Sequence, residues 1–382
     1  MGLLKRISSV GRRKTKDSSK RKATDGSAEV EAAVAETPTY RLPQGVLQVP
    51  DSVGDLEHVR RLDLFGCKIL QELPDSVGLL WQLEWINLTS CEALHSLPSS
   101  LGNLQQLREL DLGGCISLRS LPESVSGLCS LHWLDLSRCH QLQALPEGLS
   151  CLSNLGTLIL AECVALTALP DIFDRLYALD WLDIFGCEHL KALPPSIGSL
   201  AHVLELDLSG CSALTALPQS LGRMDHLLRL ELAFCSGLSS LEGECLWNLA
   251  DLVELDLQWC DHLPCLPDGI SALSALTTLN LAGCEALTEL PASLSALTGL
   301  TGLELTCCSN LASLPAGISG MTRLESITLE SCSALTGLPA LPVLLQALNV
   351  MGEGQAGIYG VRVGSARHSI VPPNAADTQV KL

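Results

Sequence analysis

Aromatic side chains are scarce. Phe, Trp and Tyr make up 3% of 382 residues, although the chain is 47% hydrophobic. Whatever core forms must therefore be aliphatic, and leucine is what the sequence supplies. Long apolar runs are also missing. The mean hydropathy is positive at +0.30, yet no stretch approaches the ~18 residues of a spanning helix, and no secretory apolar region follows the basic N-terminus. Positive charge is thin beyond the first residues. Residues 1–45 hold 10 Lys/Arg against 5 Asp/Glu, a net of +5, while the whole chain is −18, so residues 46–382 carry −23. Phosphate binding rests on clustered Lys and Arg, so nucleic acid is excluded as the ligand of this acidic part, and a basic protein or peptide is favoured. Phosphate-binding loops, kinase signatures, G-x-S-x-G and H-E-x-x-H are all absent. No cofactor, no resident metal and no catalysis are expected.

What is present is a period. Cysteine returns at Cys67, Cys91, Cys115, Cys139, Cys163, Cys187, Cys211, Cys235, Cys260, Cys284, Cys308 and Cys332, always at 24 residues except for the 25 from Cys235 to Cys260. Leu-Pro pairs keep the same beat, as at Leu73-Pro74, Leu97-Pro98 and Leu121-Pro122. One copy runs Leu107, Leu110, Leu112, Cys115, Leu118, Leu121-Pro122, Val125, Leu128. A fixed period of this length marks a solenoid whose units bury their apolar faces only against one another. The unit reads as a leucine-rich repeat with cysteine where asparagine is commoner. Leu110-Asp111-Leu112 alternates with period two, which predicts a short strand with its leucines inward. The proline ends the strand side and opens the arc behind it. There Gly78, Gly102, Gly198 and Gly222 predict tight turns or short 3₁₀ segments.

The expected fold class is thus an α/β solenoid, a horseshoe of about 12–13 mostly 24-residue repeats with parallel strands on the concave face. Strands are expected around Leu62, Ile86, Leu110, Leu134, Leu158, Leu182, Leu206, Leu230, Leu255, Leu279, Leu303, Ile327 and Leu348. Residues 1–39 form a basic tail expected to be disordered, residues 40–351 the repeat domain, and residues 352–382 a C-terminal tail. The irregular unit Leu241–Leu252, with Glu242 in place of proline and with Cys245 and Trp247, predicts a bulge on the convex side.

Seventeen cysteines raise the question of disulfides or metal. Neighbouring copies lie one coil apart, with parallel Cβ vectors about 5 Å from each other. That exceeds the ~3.5–4.5 Å of a disulfide, and a linear stack does not converge on a metal. The expected role is a buried thiol that packs as a small hydrophobe and bonds weakly to a carbonyl. So many free thiols point to a reducing compartment, cytoplasmic or nuclear. His140, His189 and His262, each just after a ladder cysteine, read as solvated turn residues rather than ligands.

The outward strand sites carry the functional signal. The middle outward site reads Asp63, Asn87, Asp111, Asp135, Ile159, Asp183, Asp207, Glu231, Asp256, Asn280, Glu304, Thr328, in which eight of twelve are carboxylates. One outward site earlier stand Trp85, Trp133 and Trp181, two repeats apart. Phe65 and Phe185 sit on the later outward site. Aromatics exposed among charges are typical anchors of protein interfaces. The candidate partner-binding residues are therefore Asp63, Phe65, Trp85, Asp111, Trp133, Asp135, Trp181, Asp183, Phe185 and Asp207.

Runs such as Leu206-Asp207-Leu208-Ser209-Gly210-Cys211-Ser212-Ala213-Leu214, Leu217-Pro218-Gln219-Ser220-Leu221-Gly222 and the shortened close Leu338-Pro339-Ala340-Leu341-Pro342 resemble the repeat domain of plant intracellular TIR-type nucleotide-binding leucine-rich-repeat disease-resistance receptors. The resemblance spans about residues 42–351. Nothing matches a TIR or nucleotide-binding domain, so their enzymatic activities are not implied. What the resemblance implies is protein recognition in defence signalling. An adaptor or substrate-recognition subunit for a ubiquitin ligase or a small-GTPase pathway is the alternative, since Ras-associated repeat scaffolds share the Leu-Pro unit. At the N-terminus, Arg12-Arg13-Lys14 and Lys20-Arg21-Lys22 suit a nuclear-import signal or weak contact with an acidic membrane, giving peripheral attachment to the inner membrane face as the alternative location.

Overall fold

Each short L-x-L motif can satisfy its backbone only by pairing with the copies before and after it, and that is the architecture found. The computed structural model describes residues 39–43, 45–241 and 246–339. Within them thirteen strands form one parallel sheet in strict chain order. They are β1 (Thr39–Arg41), β2 (Arg61–Asp63), β3 (Trp85–Asn87), β4 (Glu109–Asp111), β5 (Trp133–Asp135), β6 (Thr157–Ile159) and β7 (Trp181–Asp183), followed by β8 (Glu205–Asp207), β9 (Arg229–Glu231), β10 (Glu254–Asp256), β11 (Thr278–Asn280), β12 (Gly302–Glu304) and β13 (Ser326–Thr328). The fold is a leucine-rich-repeat solenoid. Twelve strands stand where the leucine pattern predicts them. β1 is an addition: Thr39-Tyr40-Arg41 holds no leucine, yet it pairs with β2 in register Tyr40↔Leu62. The expected strand at Leu348, residues 1–38 of the N-terminal tail, the C-terminal tail, the basic clusters and most of the shortened close lie outside the described residues, while Thr39, expected to end the disordered tail, instead opens β1.

The core is a column of leucines. The central residue of each strand from β2 to β13 is at most 2% exposed, and one continuous cluster runs from Val49 to Leu335. Behind the strands a short 3₁₀ segment closes each coil. Ten of these begin just after a proline in extended geometry, from Pro50 to Pro315. Glycine is needed on this arc for close approach. A Cβ on Gly102 would lie 2.1 Å from the Ser124 carbonyl oxygen, and one on Gly198 would lie 1.9 Å from that of Ser220. The arc between β6 and β7 departs from the pattern. Its 3₁₀ segment shrinks to Phe173–Arg175, the Phe173 ring is buried, and the Phe173 N–H donates to Ser196 Oγ at 3.0 Å.

The cysteines form a bonded ladder. Each thiol from Cys91 to Cys332 donates to the carbonyl of the leucine or isoleucine that follows the preceding coil's strand, at 3.1–3.4 Å. Examples are Cys115 to Leu88, Cys163 to Leu136 and Cys308 to Leu281. Cys67 reaches Pro43 at 3.9 Å. All twelve are buried, and every described cysteine is free. Burial pushes these thiols up, to about 12 at Cys91, Cys187, Cys235 and Cys284, so they are poor nucleophiles in the folded chain.

The irregular unit differs from expectation. Trp247 does not bulge outward. It is 9% exposed and lies so close to the next arc that a Cβ on Gly269 would meet its ring at 2.4 Å. A large apolar ring gains more from covering its neighbour than from water. Glu242 and Cys245 fall outside the described residues.

These thiols give a direct test. Native protein treated with a disulfide reagent should react first at the exposed Cys129, Cys151 and Cys265, and denatured fresh protein should titrate nearly all 17 thiols. Fast native labelling of Cys115 or Cys163, read by mass spectrometry, would contradict the buried ladder.

Candidate protein-binding surface

The strand register fixes which outward side chains are neighbours. Pairing places Trp85 beside Glu109, Glu109 beside Trp133, Trp133 beside Thr157 and Thr157 beside Trp181. The tryptophans therefore do share one column at every second coil. They are not equally available. Arg61 lies over the Trp85 ring at 4.5 Å, so one cation already occupies that face. Trp133 is half-buried and Trp181 is 38% exposed. Phe65 and Phe185 are both exposed.

The carboxylate column has a structural basis as well as a solvated one. Asp63, Asp111, Asp135, Asp183, Asp207 and Asp256 each accept the backbone N–H two residues on, at 2.7–3.2 Å, and so cap the strand end as an Asx turn. Asn87 and Asn280 do the same. Aspartate and asparagine are the right length for this bond, which explains their recurrence. Asp63 is fully engaged: it is 5% exposed, paired with Arg41 of β1 and bonded by Asn87 Nδ2 at 3.2 Å. Asp111, Asp135, Asp183 and Asp207 remain partly open.

Around β7–β9 the column becomes a shallow depression of about 150 Å³, bounded by Trp181, Asp183, Glu205, Asp207, Arg229 and Glu231. Arg229 pairs with Glu205 and reaches Glu254 at 3.9 Å. Asp183 is raised above the ordinary aspartate range by burial first, opposed by the Phe185 N–H, with the Asp207, Asp135 and Glu162 charges adding to the rise. Asp111 and Asp256 are raised for the same leading reason. Glu231 is the extreme. One methylene too long for the local turn, it is pushed up to about 7 first by loss of water around its carboxylate, although the residue as a whole is exposed, then by Asp207 and Asp256 on the flanking strands, with Arg229 opposing. Parallel stacking forces these like charges together.

Other features escape a reading by repeat position alone. Phe234 and Trp259 are exposed and stack on each other with ring centroids 6.3 Å apart and planes 8° off parallel. Both sit immediately before a ladder cysteine, where all twelve residues from Gly66 to Ser331 take the left-handed conformation, with φ between 57° and 76°. A bulky side chain costs roughly 1–2 kcal/mol there. The Trp259 ring also covers Gly283, where a Cβ would lie 2.4 Å from it. The clue in the sequence was two aromatics at one repeat position in adjacent units. The later repeats thus lack the tryptophan column but carry an aromatic pair of their own. His189 and His262 donate from Nδ1 to carbonyls of the preceding coil, Val164 at 2.7 Å and Ser236 at 2.8 Å. No three His, Cys, Asp or Glu side chains among the described residues are grouped to hold a metal.

A pH dependence follows from Glu231. Its folded value, about 7, lies above the ordinary 4.5. Between those values the folded state keeps a proton that the unfolded state releases, so this residue's contribution to stability falls as pH rises through 7 and is restored below about 4.5. Glu231→Gln should therefore raise Tm at pH 8 and lose most of that advantage at pH 5. An equal gain at both pH values would show that charge is not the cause.

No family model and no curated protein matches this sequence. Among solved structures, the chain is similar to the Toll–Spätzle complex of Drosophila, with TM-score 0.54 and 18% identity over 80% of this chain and 46% of that one. It is also similar to the Leptospira interrogans leucine-rich-repeat protein, with TM-score 0.49 and 24% identity over 78% of this chain and 88% of that one. The Arabidopsis receptor kinase HAESA with its peptide hormone and co-receptor follows at TM-score 0.37 and 18% identity, over 77% and 68% of the two chains. Identities this low speak for fold alone: this is a leucine-rich-repeat protein.

Proposed function

We propose that this protein is a non-catalytic recognition scaffold that holds a basic protein or peptide segment against its strand face. The observation that carries the reading is the pairing of two columns on neighbouring strand sites: tryptophans at alternate coils, and beside them a column in which eight of twelve residues are carboxylates. Aromatic rings supply the desolvated contact area and the acids supply steering toward Lys and Arg. Solubility would explain the acids but not three tryptophans at one site. The setting we favour is plant-type defence or intracellular signalling, on the likeness of the repeats to those of the disease-resistance receptors. A cytoplasmic or nuclear location suits the free thiols.

The structure refines which residues should matter. Trp181 is exposed and, among the described residues, the rings of Trp181 and Trp133 carry no cation, whereas Trp85 is capped by Arg61 and Asp63 is spent on Arg41. Trp133→Ala and Trp181→Ala should each weaken a basic partner by about 2 kcal/mol or more, on the order of thirtyfold. Asp135→Asn should mainly slow association and flatten its salt dependence. Thermal stability should stay near wild type because these side chains point outward. Quantitative pull-down or biosensor binding with purified variants checks this. Normal binding by a folded Trp133→Ala, Trp181→Ala double variant would remove the strand face from consideration.

A further inference from the structure

We propose that the depression across β7, β8 and β9 is an anchor point for one lysine or arginine side chain of an extended partner segment, with an adjacent apolar residue of that segment resting on Trp181. The inference rests on the strand face being the docking face and names where on it the partner is gripped.

Size is the first argument. About 150 Å³ is the space of roughly five waters at ~30 Å³ each. That is well below the ~300–1,000 Å³ of a cofactor or small-ligand cleft, and on the scale of a single long side chain. Charge is the second. Asp183 and Asp207 stand directly opposite each other in register, and Glu231 stands next to Asp207. Arg229 is drawn to Glu205 and Glu254, and none of Asp183, Asp207 and Glu231 forms an ion pair among the described residues. One oxygen of each aspartate holds its own turn, which leaves the other to accept from a cation. An entering ammonium or guanidinium would relieve the repulsion that the stacked acids otherwise carry.

The apolar surround is an independent observation. Trp181, Phe185, Leu204 and Leu228, in the coils of β7, β8 and β9, are 37–42% exposed. Leu204 and Leu228 occupy the site just before the strand, where, apart from Gly156 and Val253, the coils of β2–β7 and β10–β13 place polar or charged residues such as Arg60, Glu84, Arg108 and Asp180. An acidic centre rimmed by exposed apolar side chains suits neither an anionic membrane nor nucleic acid, and fits a basic residue flanked by a hydrophobic one. The ladder is also loosest here. β7 and β8 are registered through Asp183↔Asp207 alone, whereas every other adjacent pair is registered through three residue pairs.

The test uses the intact protein and random dodecapeptides displayed on phage, selected at pH 8. Recovered peptides should carry Lys or Arg beside a large apolar residue. They should lose at least tenfold in affinity to an Asp207→Asn, Glu231→Gln double variant and to Trp181→Ala, both checked for a Tm no lower than wild type. Binding should also weaken several-fold from pH 8 to pH 5.5 as Glu231 takes up a proton, with Asp183, Glu205, Asp207, Arg229, Glu254 and Asp256 the other charges facing it. Peptides that depend on Trp133 but ignore the double variant and Trp181→Ala would overturn the anchor and leave the strand-face reading standing. Acidic peptides, or none that depends on any of these residues, would overturn both.

Discussion

The pitch of the coil is the constraint on which everything else rests. Stacked parallel strands put each residue about 4.8 Å from its counterpart one repeat away. Inside, that spacing admits a thiol small enough to reach the preceding coil's carbonyl, as Cys139 does to Leu112 at 3.4 Å. On the arc it demands glycine or serine, as the contact between Gly102 and Ser124 shows. On the strand face it multiplies whatever the repeat places there. A single exposed aspartate is ordinary. A file of them at this spacing is a local field, which adds to burial in raising Glu231 to about 7.

Structure and recognition therefore share the same side chains. The aspartates first satisfy backbone N–H groups and only then offer their remaining oxygens outward. A bond of that kind keeps each carboxylate in place before any partner arrives, which lowers the entropy lost on binding. Tryptophan at every second coil leaves Glu109 and Thr157 between the rings. The face then alternates aromatic and polar side chains instead of presenting a continuous greasy strip, which would invite self-association.

Most of the fold was legible because one period carries strand, thiol, proline and glycine together. Leu62 through Ile327 fall on their strands, and the glycine-bearing arcs fall on their 3₁₀ segments. What stayed hidden were relations between coils. Tyr40 begins a strand without a leucine because pairing with Leu62, not its own pattern, holds it. Trp247 turns inward because Gly269 in the next coil leaves room for it. Of the site, the columns were readable but their occupancy was not. The Arg61 cap on Trp85 and the Arg41 pair on Asp63 depend on the side-chain path across neighbouring coils, as does the stack of Phe234 on Trp259.

The thin register between β7 and β8 also has a mechanical meaning. In a stack where each unit touches only its neighbours, load passes through every junction in series, and the weakest junction sets the strength of the whole. One registered pair instead of three, beside an arc that has lost its regular turn, makes this the natural parting line. Load along the stack would fall there on fewer registered residue pairs than at any other described junction, with Gly186 N–H to the Ser209 carbonyl and Cys211 to the Ile184 carbonyl still spanning the seam. A ligand seated across that seam would act as a rivet.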